Sequence, residues 1–237
     1  MHSIKYIGKR QHSDAIVSFD FEPPADFSYI AGQFVEMSFA HKDIDERGGT
    51  RWFSLSSAPH ESLLSVTTRI DAQPLSSFKA SLLELIPGDT TVSISDPMGD
   101  FVLPRTDQLP LIFLIAGIGI APVRGMVATT KHLGRSPESY LWYAVANESD
   151  VIFGNETASF FDDYSIVSGT RKSNNKQNSR LTLAAIKSSL TPNVYDKGLF
   201  YIAGPDHFVG DLKKQLEADG IDQSRLITDY FGNYKTI

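Results

Sequence analysis

The chain has 237 residues, of which 41% are hydrophobic and 21% charged, so it can form one large or two modest cores. It contains no cysteine, which excludes disulfides, thiolate catalysis and cysteine-ligated zinc or iron–sulfur centres, so any redox chemistry needs an organic cofactor. The formal net charge of −6 argues against nucleic-acid binding, which needs clustered cations. No run of about 18 apolar residues predicts a membrane span, and residues 1–5 lack the apolar segment of a signal peptide. We therefore expect a cytoplasmic protein.

The first hundred residues have the pattern of short strands separated by turns. Segments rich in Val, Ile, Phe and Thr, bounded by Gly, Pro or Asp, predict strands at residues 15–21, 33–39, 51–56, 63–70 and 91–95. This spacing predicts a small antiparallel barrel. Residues 76–86 differ, because Ser76 or Ser77 can cap a helix whose apolar stripe stops at Pro87 and Gly88.

The pattern changes after a polar segment bracketed by prolines at residues 104–110. Residues 111–116 are a continuous apolar run, as in a buried parallel strand. Further strands are predicted at residues 140–146, 164–168 and 199–203, alternating with helices at residues 123–133, 156–161, 181–190 and 208–219. Such alternation predicts a parallel sheet with helices on both faces. The predicted fold is therefore a two-domain α+β protein, with an antiparallel Greek-key β-barrel at residues 1–104 and an α/β parallel-sheet nucleotide-binding domain at residues 105–237.

A first candidate site lies at residues 51–57, where one cation, two aromatic rings and three hydroxyls are close in sequence. Strand alternation directs Arg51 and Phe53 to one face, and Trp52 and Ser54 to the other. An arginine can pair with a pyrophosphate, an aromatic ring can lie along a planar ligand, and a serine can bond a ring nitrogen. The segment favours a flat, phosphorylated ligand; the alternative is an ordinary amphipathic strand with a surface arginine.

A second candidate site follows the predicted strand at residues 111–116. Gly117 and Gly119 would let the backbone turn sharply and approach a ligand, and the amides of the next helix would face a pyrophosphate. Pro122 suits a first helical turn, but it replaces the third glycine of the Gly-x-Gly-x-x-Gly dinucleotide fingerprint. Nucleotide binding and tight packing alone both remain compatible with this motif.

A third motif, Gly204, Pro205 and Asp206, follows the predicted strand at residues 199–203. Ligands of open α/β sheets lie beyond the carboxyl ends of the strands, so this turn and the Gly117 turn should border one crevice. The alternative is a plain turn in which Asp206 caps the next helix.

Taken in order, the three motifs resemble the ferredoxin-NADP reductase superfamily of flavoproteins. That family carries Arg-x-(Tyr/Phe)-Ser-x-x-Ser in a flavin-binding barrel, then Gly-x-Gly-x-x-Pro, then a late x-Gly-Pro turn; the resemblance covers essentially the whole chain. It implies a reductase in which hydride passes from NADPH or NADH to N5 of FAD, and electrons leave to a separate acceptor. No cysteine-rich tail follows, so we expect the type without an iron–sulfur domain.

In the barrel, the resemblance implies that Arg51 holds the flavin pyrophosphate, Phe53 flanks the isoalloxazine ring and Ser54 acts near N5. The other implied cofactor contacts are Trp52, the backbone of Val66, Thr67 and Thr68, and the hydroxyls of Ser76 and Ser77. The phosphate positions make FAD rather than FMN the expected flavin.

In the second domain, the resemblance implies that the nicotinamide nucleotide binds at Gly117, Gly119, Pro122, Gly204, Pro205 and Asp206. The acidic and aromatic ending supplies Asp229 and Phe231 as candidate catalytic residues, with Tyr230 and Tyr234 as rivals for the aromatic role. Ala203 stands where the family often has cysteine, which should slow hydride transfer without abolishing it.

The choice between NADPH and NADH is left open by two neighbouring segments. Ser168 and Arg171 begin a basic loop that could hold a 2′-phosphate, whereas the acids at residues 147–150 suit a free ribose hydroxyl. The same basic loop makes an acidic electron-carrier protein a candidate partner, and a solvated loop is the alternative. We expect the acids near Gly48 and Gly49 to form a solvated hairpin loop.

A second function from another class is a flavin-binding electron-transfer or regulatory subunit with little turnover alone. The alanine at position 203 keeps this alternative open. A nucleotide-binding module without flavin is more remote.

Overall fold

The computed structural model describes residues 1–71, 75–168 and 181–231, and these form two compact units. The first unit contains Met1–Leu103 and Ala121–Thr129; the second contains Pro104–Ile120 and the described residues after Thr129. This division by contacts assigns most of one helix to the first unit. The boundary between residues 104 and 105, as the limit between a flavin-binding and an NAD(P)-binding domain, stays a prediction.

The first unit is built on a six-stranded antiparallel sheet. Its strands are β1 (His2–Ser13), β2 (Ile16–Glu22), β3 (Phe34–Ser38), β4 (Thr50–Ser54), β5 (Leu64–Arg69) and β6 (Thr91–Ile94). Their order is β4-β3-β6-β1-β2-β5, in which most neighbours are not consecutive in the chain. A bridge between Leu55 and Val66 joins the two outer strands, so the sheet closes on itself. The predicted antiparallel barrel is confirmed.

The first strand, β1, was missed by the sequence prediction. Only Ile4 and Tyr6 of its first half are buried, each 1% exposed, and its remaining residues are mostly polar and at least partly exposed. A strand that places so few apolar side chains inward lacks the signal on which the prediction depended. Its pairing with both β2 and β6 makes it central to the sheet.

One helix, α1 (Ser77–Leu83), covers the barrel core with Phe78 and Leu82, which are both fully buried. The Ser76 hydroxyl accepts a hydrogen bond from the Lys79 amide, which confirms a serine cap at this end. The helix ends three residues before the predicted end. The Gly88 amide donates to the carbonyl of Tyr6 at 2.9 Å, which returns the chain to β1.

The second unit contains a five-stranded, wholly parallel sheet. Its strands are β7 (Leu111–Ala116), β8 (Ser139–Val145), β9 (Asp163–Ser168), β10 (Leu199–Gly204) and β11 (Leu226–Tyr230). The order β11-β10-β7-β8-β9 confirms the predicted parallel sheet. The chain runs from β7 to β9 in one direction and returns on the other side of β7 for β10 and β11. The switch point therefore lies between β7 and β10, where open sheets bind ligands.

The helices that follow β7 are α2 (Ile120–His132), α3 (Gly154–Thr157), α4 (Leu183–Ser189), α5 (Pro192–Lys197) and α6 (Asp206–Ala218). The predicted helix at residues 156–161 is instead the short α3 followed by a 3-10 turn at Ala158–Phe160. Helix α5 was not predicted, although Thr191 caps it and Pro192 occupies its first turn. Among the residues that the structure describes, every helix is too short or too polar to cross a bilayer.

Candidate functional site

Two glycine turns lie at the carboxyl ends of β7 and β10. Gly117 has a φ of +54° and starts a 3-10 turn that leads into α2, while Gly204 has a φ of +152°. A Cβ added to Gly119 would lie 2.5 Å from the carbonyl oxygen of Ala203, and one on Gly204 would lie 2.8 Å from the Cβ of Ala116. The two turns are therefore in backbone contact at the switch point, and only glycine fits there. We call Gly117, Gly119 and Gly204 the glycine edge.

The candidate catalytic residues of the second unit lie at the end of the neighbouring strand. The amide of Phe231 donates to the carbonyl of Gly204 at 2.9 Å, and Asp229 is paired with Ala203 along β10 and β11. Phe231 is half-buried, whereas Tyr230 is 48% exposed. Asp229 and Phe231 are thus brought to the same end of the sheet as the glycine edge. Tyr234 lies outside the described residues.

Helix α6 begins directly after this edge. Pro205 precedes its first residue, and Asp206 is exposed in the first turn, with no side-chain cap at this end. The alternative in which Asp206 caps the helix is therefore wrong. Its carboxylate instead stands at the surface beside the Gly204 turn.

The residues expected to select the nicotinamide differ in accessibility. Ser168 is the last residue of β9, where it pairs with Val145, but Arg171 and the basic loop lie outside the described residues. Of the acids after β8, Glu148 is exposed, whereas Asp150 is 3% exposed and accepts a hydrogen bond from the Asn147 amide. Asp150 therefore contributes to the internal structure of this loop.

In the barrel, the alternation predicted for β4 is confirmed. Arg51 and Phe53 point inward, at 4% and 7% exposure, while Trp52 is 60% exposed and donates to the Glu36 carboxylate at 3.0 Å. The Phe53 ring packs 6.0 Å from that of Phe78, between ring centroids. Ser54, the predicted neighbour of flavin N5, is 6% exposed.

The Arg51 guanidinium is bound to the loop of residues 45–50. Its Nη1 donates to the carbonyls of Arg47 and Gly48, both at 2.8 Å, and to that of Thr50. Its Nη2 donates to Oδ1 of Asp45 at 3.2 Å. The Cζ atom of the same guanidinium lies 5.4 Å from the centre of the Phe78 ring. A buried arginine with a forked donor set therefore fixes this loop.

The carboxylate of Asp45 collects donors from three residues. It accepts from the amide of Ser77 at 3.0 Å, from the amide and guanidinium of Arg47, and from Arg51. The Asp45 amide in turn donates to the Ser77 hydroxyl at 3.0 Å. Although burial alone would raise the pKa of the Asp45 carboxyl, the bonds from Arg47 and the Ser77 amide hold that pKa far below its ordinary value. We call Arg47, Arg51 and Ser77 the cationic cluster.

A third cation, Lys79, lies in the same region. Burial, followed by the charges of Arg51 and Arg47, lowers the pKa of Lys79 to about 8. Its ammonium donates to the carbonyl of Arg69 at 2.9 Å. Asp45, Arg47 and Lys79 were missed by the sequence prediction, which treated the acids near Gly48 as a solvated loop. The prediction holds for Asp43 and Glu46, which are exposed, but it is wrong for Asp45, because that carboxylate pairs with Arg51.

The donors of the cationic cluster are the groups that a phosphate requires. Two guanidinium groups and the amides of Ser77 and Arg47 already surround one anionic group, which here is a carboxylate of the chain itself. Of the two serines expected to bind phosphate, Ser77 belongs to the cluster and Ser76 caps α1. The residues therefore fit the phosphates of FAD.

The strand expected to read the flavin pyrimidine, β5, is the outermost strand next to β2. Val66 is fully buried and the Thr67 hydroxyl donates to Ser56 at 2.8 Å, so these two side chains serve the barrel. Thr68 is 5% exposed.

Within the first unit, residues 121–129 of α2 pack on the segment that follows β4. A Cβ on Gly125 would lie 2.6 Å from the carbonyl oxygen of Ser57, and Arg124 forms an ion pair with Glu61. The Ser57 hydroxyl bonds that of Tyr29 at 2.8 Å and accepts from the Ser65 amide. Pro122 lies at the start of this packed segment. These supporting contacts carried no signal in the sequence.

Comparison with known proteins agrees with this architecture. Residues 113–214 match the family described as the oxidoreductase NAD-binding domain. An NADPH oxidoreductase of Mycobacterium tuberculosis is 28% identical over 164 residues, which cover 68% of this chain and 42% of that protein. The chain spans about half the length of the curated relatives that it matches.

Two solved structures have the same fold over almost the whole chain. The FAD/NAD binding domain of a nitric oxide dioxygenase from Vibrio cholerae superposes with a TM-score of 0.79 at 23% identity, covering 97% of this chain and 98% of that one. A ferredoxin-NADP reductase from Neisseria gonorrhoeae, with bound FAD and NADP, gives 0.74 at 19% identity, with coverages of 97% and 98%. These structures show that the chain has the two-domain fold implied by its resemblance to the ferredoxin-NADP reductase superfamily, and its residues 113–214 match the oxidoreductase NAD-binding domain family.

Proposed function

We propose that the chain is a flavin-dependent NAD(P)H oxidoreductase, in which the barrel holds FAD and the parallel sheet holds the nicotinamide nucleotide. The observation that carries this proposal is the glycine edge at the switch point, inside a segment that matches an NAD-binding family. The cationic cluster of the first unit, whose donors suit a diphosphate, supports the proposal that the barrel binds FAD.

At the glycine edge, the chain acts through its backbone. Because Gly117 and Gly204 adopt conformations that favour glycine, a nucleotide can approach the main chain without meeting a Cβ. The amides at the start of α2 then offer donors to a pyrophosphate. Asp229 and Phe231, which end the adjacent strand, would flank the nicotinamide.

In the barrel, the proposed roles of Arg51, Ser77 and Ser76 are to neutralise and orient the FAD phosphates. Ser54 and the backbone of Val66, Thr67 and Thr68 would orient the ring system. Phe53 and Trp52 lie on opposite faces of β4. Because the Phe53 ring packs against Phe78 inside the barrel, Phe53 would support the flavin site by fixing the position of β4.

When bound, FAD supplies the redox chemistry, since its ring can accept hydride and release electrons singly or as a pair. The contribution of the protein is to hold the two rings in register, which accounts for most of the rate advantage in such reactions. Ala203, which is fully buried, adds no functional group to this step.

The proposal names the electron acceptor by chemical class and keeps both nicotinamide nucleotides as candidates. A separate carrier protein of acidic character, or a small molecule, would take the electrons. The exposed Glu148 favours NADH, whereas the basic loop that contains Arg171 favours NADPH. A cytoplasmic location remains a prediction.

The proposal is tested by anaerobic rapid mixing of FAD-loaded protein with NADPH and with NADH. We expect the visible absorption of the flavin to disappear with at least one nucleotide. The proposal fails if FAD is retained and neither nucleotide reduces it, or if the protein binds no FAD. Ferricyanide turnover by the protein alone then separates a complete reductase from an electron-transfer subunit, for which turnover would be negligible.

A further inference from the structure

We propose that Asp45 is a displaceable internal anion, whose carboxylate occupies the cationic cluster in place of a ligand phosphate and yields it when a diphosphate binds. The proposal rests on the proposed function, because FAD is the diphosphate in question, and it concerns how that site is regulated. It adds Arg47 and Lys79 to the phosphate-binding residues.

The first argument is the identity of the donors that Asp45 uses. Arg51 and Ser77 are the residues proposed to bind the flavin phosphates, and both are bonded to Asp45. Four hydrogen bonds join the Arg51 guanidinium to residues 45–50, and its side chain is 4% exposed. A phosphate therefore reaches Arg51 only if this loop moves.

The second argument is the balance of charge. Arg47 and Arg51 bring two guanidinium groups to one carboxylate, and Lys79 lies close enough to feel the charge of both arginines. Burial is the main cause of the lowered pKa of Lys79, and the charges of Arg51 and Arg47 lower it further. A diphosphate carries two negative charges and would neutralise more of this positive charge than one carboxylate does.

The third argument is the construction of the loop. Asp45 is 23% exposed, between Asp43, which has a φ of +54°, and Gly48, which has a φ of +74°. A Cβ on Gly48 would meet nothing within 4 Å, so no neighbouring atom packs against that side of the turn. The carboxylate is thus at the surface of the cluster, while Arg51 is at its base.

The test measures the affinity of inorganic pyrophosphate and of FAD for the wild-type chain, Asp45→Asn and Asp43→Asn by calorimetry. Asp43 is the matched control, because it is an exposed acid two residues away whose replacement removes the same charge. If the loop is open about one-tenth of the time, Asp45→Asn should bind pyrophosphate about tenfold more tightly, and Asp43→Asn should match the wild type. Equal or weaker binding by Asp45→Asn, or an equal gain in both variants, overturns the proposal.

The two probes distinguish this proposal from the proposed function. If Asp45→Asn gains affinity for pyrophosphate but no protein binds FAD, the flavoprotein function fails and the displaceable carboxylate stands. If all three proteins bind FAD equally, the flavin site stands and the displaceable carboxylate fails.

A measurement on the wild-type chain covers the case in which Asp45→Asn does not fold. The carboxyl carbons are followed by NMR through an acid titration, with and without saturating pyrophosphate. Displacement predicts that the pKa of Asp45 rises to its ordinary value when pyrophosphate binds. An Asp45 signal that is unchanged by bound pyrophosphate overturns the proposal.

Discussion

The glycine edge and the cationic cluster are both suited to phosphate groups, but they are built from different materials. The glycine edge is backbone packed against backbone, with the Gly119 position closed to any side chain by the carbonyl of Ala203. The cationic cluster depends on two arginine side chains and on Ser77, and an acidic partner of both arginines, Asp45, lies on a loop. The first is fixed by the fold, whereas the second depends on a balance of charges that a ligand can change.

The largest effect is expected where the cationic cluster is broken at its base. Arg51→Ala removes one donor from the Asp45 carboxylate and the guanidinium donor from three carbonyls, and should lower the free energy of unfolding by about 3 kcal/mol. The control is Arg69→Ala, which removes a partly exposed ion pair with Asp71 and should cost under about 1 kcal/mol. Urea unfolding of both variants measures the difference. Equal losses would mean that Arg51 does not fix the loop.

The matching change at the glycine edge is Gly119→Val. Its side chain cannot be accommodated without moving the backbone of Ala203, so stability should fall by about 2 kcal/mol and nicotinamide nucleotide binding should be lost. FAD binding in the barrel should persist, which flavin absorbance after gel filtration would report.

Gly210→Ala is the control for this variant, since it lies inside α6 with nothing within 4 Å of a new Cβ. It should raise stability by about 0.5–1 kcal/mol, because glycine is unfavourable within a helix. A tolerated Gly119→Val, with unchanged nucleotide affinity, would show that the edge is not rigid.

The pH dependence of stability should distinguish the two regions, because a partly buried lysine, Lys79, lies beside the cationic cluster. Lys79 releases its proton near pH 8 when folded, against 10.5 for the ordinary value. Between these values the unfolded chain binds more protons, so the free energy of unfolding should rise with pH, by about 1 kcal/mol. Lys79→Met should lack this rise, and Lys5→Met, on an exposed position of β1, should retain it.

The smallest effect is expected for the neutral contacts that support the segment after β4. Tyr29→Phe removes the hydroxyl that bonds Ser57 at 2.8 Å, and should cost about 1 kcal/mol. Burial raises the pKa of Tyr29 to about 12, which agrees with a hydroxyl that is largely withdrawn from water. Thermal unfolding of both variants measures the effect. The control is Tyr140→Phe, which removes a hydroxyl that bonds the exposed Glu138, and it should change stability less.

The glycine edge was predictable from sequence because its requirements fall on single residues. Two glycines directly after an apolar strand indicate a tight turn at the edge of a sheet, and the 3-10 turn and α2 start within three residues of the prediction. The parallel sheet followed from the same local signals. Strand β11 was missed because five residues that include Asp229 and Thr228 have no alternating pattern.

The cationic cluster was only half predictable. Arg51 and Ser77 were identified through a family pattern, but their partner Asp45 lies in a loop whose composition suggested solvent. Which carboxylate turns inward is decided by the three-dimensional path of residues 41–50 around Arg51, and no periodicity encodes that path. For the same reason, Lys79 could not be distinguished from a surface lysine.

The central claim is that the barrel binds a flavin dinucleotide through its cationic cluster, and a crystal structure of the chain with FAD tests it most directly. The account predicts diphosphate oxygens about 3 Å from the guanidinium of Arg51 and from the Ser77 amide, with the Asp45 carboxylate withdrawn. A diphosphate bound elsewhere, with the bonds between Asp45 and Arg51 intact, would contradict it.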